Sequence, residues 1–380
     1  MKNRLLILLP ILTMLWISCT ETAPGYNGVV VESQKQRFAI DTLTKDLLLP
    51  WGMAFLPDGR ILVTERNGVV RIVQDHAMLP DSVSNVPAVF AEGQGGLMDI
   101  QLHPDYSANG WIYFTYSKPG LDTTSATTLA RARLKDNAFV DLEDIFTAQP
   151  YVNSRHHFGS RIAFDGKGHV FISSGERGTK PNSQDLTNHL GKILRLNDDG
   201  TVPQDNPFVG KTDVRPEIWS YGHRNPQGLY YDTETGQLWD AEHGPMGGDE
   251  LNLVEPGKNY GWPVITYGMN YDSTVISDMT EKEGMEQPVR FWKPSIATCG
   301  LIKVTGDQYP AWKGNFLVTA LAQMHIARVE MNGNTYVGEE RLLDKIGRIR
   351  LAKQSPEGII HVISEGPGSL VRLVPLPALN

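Results

Sequence analysis

The chain of 380 residues has only two cysteines, Cys19 and Cys299. So sparse a pair excludes a disulfide-stapled scaffold. An exported protein without a disulfide has to rest on its core alone. The roughly 350 residues that follow the N-terminal segment suffice for that as one large domain. Positive charge is also short. Lys and Arg number 35 against 43 Asp and Glu, a net charge of −8, which leaves no electrostatic footprint for nucleic acid. After residue 37 there is no long stretch of helical periodicity, and no second apolar run approaches membrane length.

What is present begins with a leader. Lys2 and Arg4 precede an apolar run from Leu5 to Ile17, broken only by Pro10 and Thr13, and then comes Ser18-Cys19. The run is too short for a comfortable span and reads as a secretory signal over residues 1–19. A small residue directly before a lone cysteine resembles a bacterial lipoprotein junction, although Trp16 stands where a leucine is usual. The expectation is a protein exported to the periplasm or cell surface and anchored by lipid on Cys19. Residues 20–36 are polar and read as a tether, with the folded domain expected over 37–380.

That domain repeats itself. Six times a turn ending in glycine leads straight into a short apolar strand: Arg60–Thr64, Trp111–Thr115, His169–Ser173, Gln237–Ala241, Asn315–Thr319 and Ile359–Ile363. The turn glycines, Gly59, Gly110, Gly168, Gly236, Gly314 and Gly358, lie 51, 58, 68, 78 and 44 positions apart. That period is too long for a small solenoid unit and fits a four-stranded blade with variable loops. The strands are rich in β-branched and aromatic residues and bounded by turn residues. The reading is all-β, a six-bladed β-propeller. A pair of β-sandwiches is the competing all-β architecture, but it would not require six similar turns.

In a propeller, chemistry gathers where blade loops converge on the central channel, and several clusters fall in such loops. Tyr221–Gly228 places His223, Arg224 and Asn225 side by side on a bend held by Gly222, Pro226 and Gly228. A guanidinium fork on a stiff turn suits a planar anion or a polarised carbonyl, or pairs with a surface carboxylate. Gly93–Asp99 is glycine-dense ahead of a strand, with Gln94 able to donate and accept; it is equally a tight turn or bulge. His156 and His157 precede Arg161, and adjacent histidines on a strand would face opposite ways, so one of them enters a given site. A channel histidine serves as a base near neutral pH. Glu242–Glu250 offers carbonyls at the Gly244-Pro245 bend and neighbouring carboxylates, oxygen ligands that suit Ca²⁺ without the spacing of an EF-hand; it also reads as a solvated acidic loop. Arg348 and Arg350 share one face if they lie on a strand, and they repel unless an anion sits between them. With Arg224 they suggest a ligand carrying several carboxylates; the plain alternative is an exposed edge strand.

Taken in order, these motifs resemble the soluble glucose/sorbosone dehydrogenase family, six-bladed propellers that use pyrroloquinoline quinone (PQQ) and calcium to oxidise aldoses. The resemblance runs from about Leu48 to Val374 and rests on the segments 50–59, 64–66, 93–96, 157–161, 222–228, 242–245, 259–263 and 348–350. It implies that His157 is the catalytic base and that Gln94, Arg224 and Asn225 line the quinone, with Arg224 beside its reactive carbonyl. It implies that Arg348 and Arg350 hold the cofactor's carboxylates. Gly244 and Pro245 would give carbonyl oxygens to a calcium under the cofactor, and Glu250 with the carbonyl of Tyr260 would hold a second, structural calcium. The implied reaction is oxidation of an aldose at C1 to a lactone. Two positions depart from the family pattern: Ala322 stands where a lysine is common, and His156 where some relatives place an aspartate. Two other classes stay open: a non-catalytic propeller that binds sugar or protein at the cell surface, and a calcium-dependent lactonase. The physiological sugar, the electron acceptor and the oligomeric state are not legible; loops such as 268–287 offer no code.

Overall fold

A computed structural model describes residues 28–377. The expected signal segment with Cys19, and the tether as far as residue 27, lie outside the described residues. Six antiparallel sheets form the six blades. Blade 1 is Pro50–Phe55, Ile61–Glu65, Val69–Gln74 and Ala77–Met78; blade 2 is Leu97–Leu102, Trp111–Pro119, Ser125–Lys135 and Ala138–Thr147. Blade 3 is Ile162–Phe164, His169–Ser174, Lys192–Asn197 and Ile218–Tyr221; blade 4 is Pro226–Asp232, Gln237–Glu242, Asp249–Val254 and Arg290–Trp292. Blade 5 is Thr298–Lys303, Phe316–Ala320, His325–Asn332 and Thr335–Leu342. Blade 6 takes Ile349–Gln354, Ile360–Glu365 and Gly368–Leu376 from the C-terminal end and completes itself with Arg37–Lys45 and Val30–Glu32 from the N-terminal end. The α-helix among the described residues is the single turn Tyr106–Asn109.

The six strands recognised in the sequence are all the second strand of a blade, counting from the axis. They read as continuous apolar runs because both faces of every blade are buried. Along His169–Ser174, Val170 and Ile172 pack toward blade 2 while Phe171 packs toward blade 4. Along Ile360–Glu365, Ile360 and Val362 face blade 5 and Ile363 faces blade 1. The hydrophobic core accordingly includes six clusters, one between each pair of neighbouring blades, and a smaller seventh of Trp51, Met98 and Phe158. The six turn glycines all adopt left-handed backbone, with φ between 70° and 89°, which explains why glycine recurs there.

One boundary is corrected. The sequence places the start of the domain at residue 37, but Val30–Glu32 already pair with Arg37–Ala39. A three-residue edge strand is too short to show periodicity.

The ring closes through Arg37–Lys45, which pairs antiparallel with Ser369–Leu376. Phe38 on that strand is fully buried and meets Trp312 of blade 5 edge to face at 5.5 Å. Phe38→Ala is expected to cost about 3–5 kcal/mol of unfolding free energy, read as a lower denaturation midpoint in urea. A loss below about 1 kcal/mol, the scale of an ordinary surface change, would show that this strand does not hold the closure.

Candidate active site

Each inner strand starts at one rim of the channel, and the connection between the second and third strands returns to that same rim. The recurrent turns lie at the other end. Gln94 precedes Leu97–Leu102, His157 precedes Ile162–Phe164, and Arg224 and Asn225 precede Pro226–Asp232. Arg348 and Arg350 flank the start of Ile349–Gln354, and Gly244 and Pro245 join the second and third strands of blade 4. The topology therefore brings all of these to one rim. Tyr260 is drawn in by the long connection after Val254: its N–H donates to the carbonyl of Tyr221 at 2.8 Å.

His156 and His157 are not on a strand, so the argument from alternating faces does not apply to them. They sit in an open loop where His157 has a φ of 52°. The two are nevertheless distinguished. His156 is exposed, whereas the His157 side chain is 13% exposed and its Nδ1 lies 2.6 Å from Oε1 of buried Glu176. A carboxylate on Nδ1 holds that nitrogen protonated and leaves Nε2 as the basic one. The His157 N–H donates to Gln94 Oε1 at 2.8 Å, so Gln94 shapes this loop. Gly175 permits the approach of Glu176, since a Cβ there would stand 2.2 Å from the His157 carbonyl oxygen and 2.9 Å from Asn225 Oδ1. Burial lowers the His157 pKa; Glu176 opposes the shift and the charge of Arg224 deepens it. Glu176 was not singled out in the sequence. Its signal was available, an acid directly after the third repeated strand, in a connection that returns to the active rim.

Arg224 is buried, and its guanidinium turns toward backbone rather than a surface carboxylate. Nη1 donates to the carbonyls of His243 at 3.0 Å and Gly244 at 2.7 Å. One of the carbonyls expected to ligate calcium thus already accepts from Arg224. Asn225 works as a tie between loops: its Oδ1 accepts the Gly159 N–H at 3.1 Å and its carbonyl accepts the His243 N–H at 3.2 Å.

Beneath this turn lies an acidic nest that the sequence reading named only in part. Glu242 accepts the Arg224 N–H at 2.7 Å and faces His223 Nδ1 at 3.2 Å. Glu250 is directly opposite Glu242 across the strands, and Asp240 is fully buried with no hydrogen-bond donor on either carboxyl oxygen. Burial, with Glu242 nearby, pushes the carboxyls of both Asp240 and Glu250 well above the usual range. A cavity of about 10 Å³, room for one ion or water, is lined by Arg224, Glu242, Gly244, Glu250 and Tyr260. The Tyr260 ring stacks on His223 at 4.7 Å. Pro245 is buried but does not line this cavity.

On the opposite wall two guanidinium groups bind one carboxylate and a third lies in its field. Arg350 binds Glu365 through Nε at 2.8 Å and through Nη2, and Arg348 Nε reaches the same group at 3.3 Å. Arg350 is buried and spends its remaining nitrogen on Gln227 and the thiol of Cys299, while Arg348 is half exposed. The pair does not lie on one regular strand face: Arg348 precedes the strand, and pairing shifts register between Ile349 and Leu351. Arg66, from blade 1, is the third cation. Its Nη1 donates to the Gly93 carbonyl at 2.8 Å, but its buried Nε has no partner. Burial and then the charge of Arg350 lower its pKa. Among them sits His243, kept neutral by burial and by the surrounding charges of Arg350 and Arg224. Ala322 lies in the second-to-third strand connection of blade 5, exposed on this rim, and brings no charge.

The sequence profile described as "Glucose / Sorbosone dehydrogenase" matches residues 47–372. An aldose sugar dehydrogenase of Escherichia coli K12 is 39% identical over 343 residues, spanning 88% of this chain and 92% of the relative. The apo crystal structure of the soluble aldose sugar dehydrogenase from Escherichia coli superposes with a TM-score of 0.86, covering 89% of this chain and all of that one. The PQQ-bound aldose sugar dehydrogenase of Streptomyces coelicolor, 26% identical, gives a TM-score of 0.74 over 89% of this chain and 98% of that one. The chain belongs to the glucose/sorbosone dehydrogenase family.

The environment of His157 predicts its titration by NMR. The midpoint is expected below the ordinary value near 6.5 and should fall further in Glu176→Gln, where the opposing carboxylate is gone. A midpoint at or above 6.5 in the native protein would contradict the geometry described.

Proposed function

We propose that this family member oxidises an aldose at C1 to its lactone, with PQQ as cofactor and calcium bound beside it. The observation that carries the reading is the pairing of a carboxylate-backed imidazole, His157 on Glu176, with three guanidinium groups over a single carboxylate on the facing wall. An excess of positive charge, with an unpartnered buried Nε on Arg66, suits a ligand with several carboxylates. The acidic nest makes the opposite demand. Asp240, Glu242 and Glu250 have too few donors between them, and hard oxygen ligands around a space for one ion suit Ca²⁺.

In this reading PQQ, when bound, supplies the two-electron acceptor that takes hydride from the sugar carbon. Arg348, Arg350 and Arg66 would hold its carboxylates, and Gln94, Arg224 and Asn225 would form the wall beside it. Glu250 and Tyr260, with Glu242 and the Gly244-Pro245 carbonyls, are the groups available to calcium. The chain's own part in the reaction is proton chemistry and field. His157 Nε2 takes the proton of the C1 hydroxyl, and Glu176 stabilises the imidazolium that forms. Arg224 contributes a fixed positive charge on the same wall. The arginine-rich wall favours this reading over a lactonase, which would need its carboxylates on an open metal; here Asp240 is fully buried and the space beside Glu242 and Glu250 is about 10 Å³.

The assignment of the base is tested by two glutamine variants in dye-linked aldose oxidation with PQQ and Ca²⁺ supplied. His157→Gln should lower kcat by about 10²–10⁴-fold and leave cofactor binding largely intact. His156→Gln should change kcat much less, because its ring is exposed. Equal losses in both, or a larger loss in His156→Gln, would remove His157 from the role.

A further inference from the structure

The channel does not end at the active rim. Trp51, 1% exposed, lies with Arg350 5.7 Å from its ring and Arg161 4.0 Å from it. Gln227 joins the same two arginines: its side-chain oxygen accepts from Arg350 at 2.7 Å and its carbonyl accepts from Arg161 Nε at 2.8 Å. Together these residues form a floor. Arg350 belongs to the wall described above, and Arg161 faces what lies beyond.

Beyond the floor is a chamber of about 250 Å³, lined by the later halves of the inner strands of blades 2 to 6. Three cations line it, Arg161, Lys303 and Lys353, and no carboxylate does. Arg161 is balanced from behind by Asp99, at 3.0 Å, and Lys303 by Asp232, at 2.5 Å. Lys353 has no such partner. Its Nζ donates to two neutral oxygens, the Met53 carbonyl at 2.9 Å and Gln101 Oε1 at 2.6 Å, which leaves one proton of the ammonium unused. Arg161 also keeps Nη2 without a partner, but that atom is sealed inside the floor, so the residue lends the chamber its charge and not a donor. Burial pushes the Lys353 ammonium down to about 8, with Arg161 adding repulsion that Asp99 opposes. A buried ammonium with a spare donor is costly unless an acceptor, and preferably a negative one, meets it.

We propose that this chamber is a second binding site, separate from the active site, for a small carboxylate held by Lys353 Nζ in the field of Arg161 and Lys303. The charge count favours a monoanion, since Lys353 is the one lining cation without an acid behind it. The free donor of the Lys353 ammonium suits a carboxylate oxygen. Ile162, Leu229, Leu301 and Leu351 supply apolar surface for a short carbon chain. The volume lies below the roughly 300–1,000 Å³ typical of pockets for drug-sized ligands, so the ligand is small. Entry is from the face opposite the active rim, where these strands end.

The test is calorimetric titration of the PQQ- and calcium-loaded enzyme with acetate at constant ionic strength, so that the active-site arginines are already occupied. The native protein should show one saturable site. Lys353→Met should weaken it by about 10–100-fold, the worth of one charge-assisted hydrogen bond, while Lys353→Arg should retain it. A crystal structure of the native enzyme grown in acetate should place the anion against Lys353 Nζ; this readout stands even if Lys353→Met does not fold or PQQ does not bind. Absence of saturable binding, undiminished binding in Lys353→Met, or a chamber holding only water in acetate would overturn the proposal. Tighter binding of inorganic phosphate than of acetate would overturn the carboxylate assignment.

Discussion

Closure of the ring is the constraint on which the site depends. Arg37–Lys45 comes from the start of the domain and completes a sheet whose other members come from its end. That pairing sets blade 6 against blade 1 through Leu43, Met53, Val63 and Ile363. Only then does Arg66, from blade 1, come under the field of Arg348 and Arg350, from blade 6. The same closure carries the Met53 carbonyl to Lys353. Every group of functional interest lies on a connection, on an inner strand or, like Asp240, Glu242, Glu250 and Glu365, on a second or third strand. Its position follows from how six interblade cores rotate those strands about one axis.

The consequence is a site of two opposed charge clusters on one rim. Guanidinium groups exceed carboxylates on the blade 6 and blade 1 side, and buried carboxylates exceed donors under blade 4. Arg224 stands between them, with its backbone held by Glu242 and its side chain resting on the Gly244 carbonyl. Neither cluster is satisfied by the protein's own groups. In the proposed reading an anionic cofactor and a calcium ion neutralise one cluster each. They also interact with each other through Arg224, because a guanidinium on the Gly244 carbonyl repels a metal at that oxygen.

The fold was legible because the signal was strong where packing is two-sided. The second strand of each blade is buried on both faces and preceded by a left-handed glycine, which produced a recurring turn and run. The third and fourth strands left no such mark, and the three-residue strand Val30–Glu32 was too short to show. At the site, glycine-bounded loops pointed to Gln94, His157 and Arg224, and the structure sets them on one rim. The assumption that His156 and His157 lie on a strand failed, because a loop residue with φ of 52° carries no alternation. Glu176, Asp240 and Arg66 were passed over for a common reason. Each sits at or near the end of an otherwise ordinary strand, and its importance comes from a partner on another blade or from the lack of one. Sequence spacing does not encode that.

The central claim is that the two charge clusters are separate deficits bridged by Arg224. It is tested most directly by titrating the apo protein with PQQ in the absence and presence of saturating Ca²⁺, and with Ca²⁺ in the absence and presence of PQQ. The account predicts that each ligand tightens the other by the same factor, on the order of fivefold or more, and that Arg224→Met reduces the factor. Affinities that do not depend on the other ligand would contradict it.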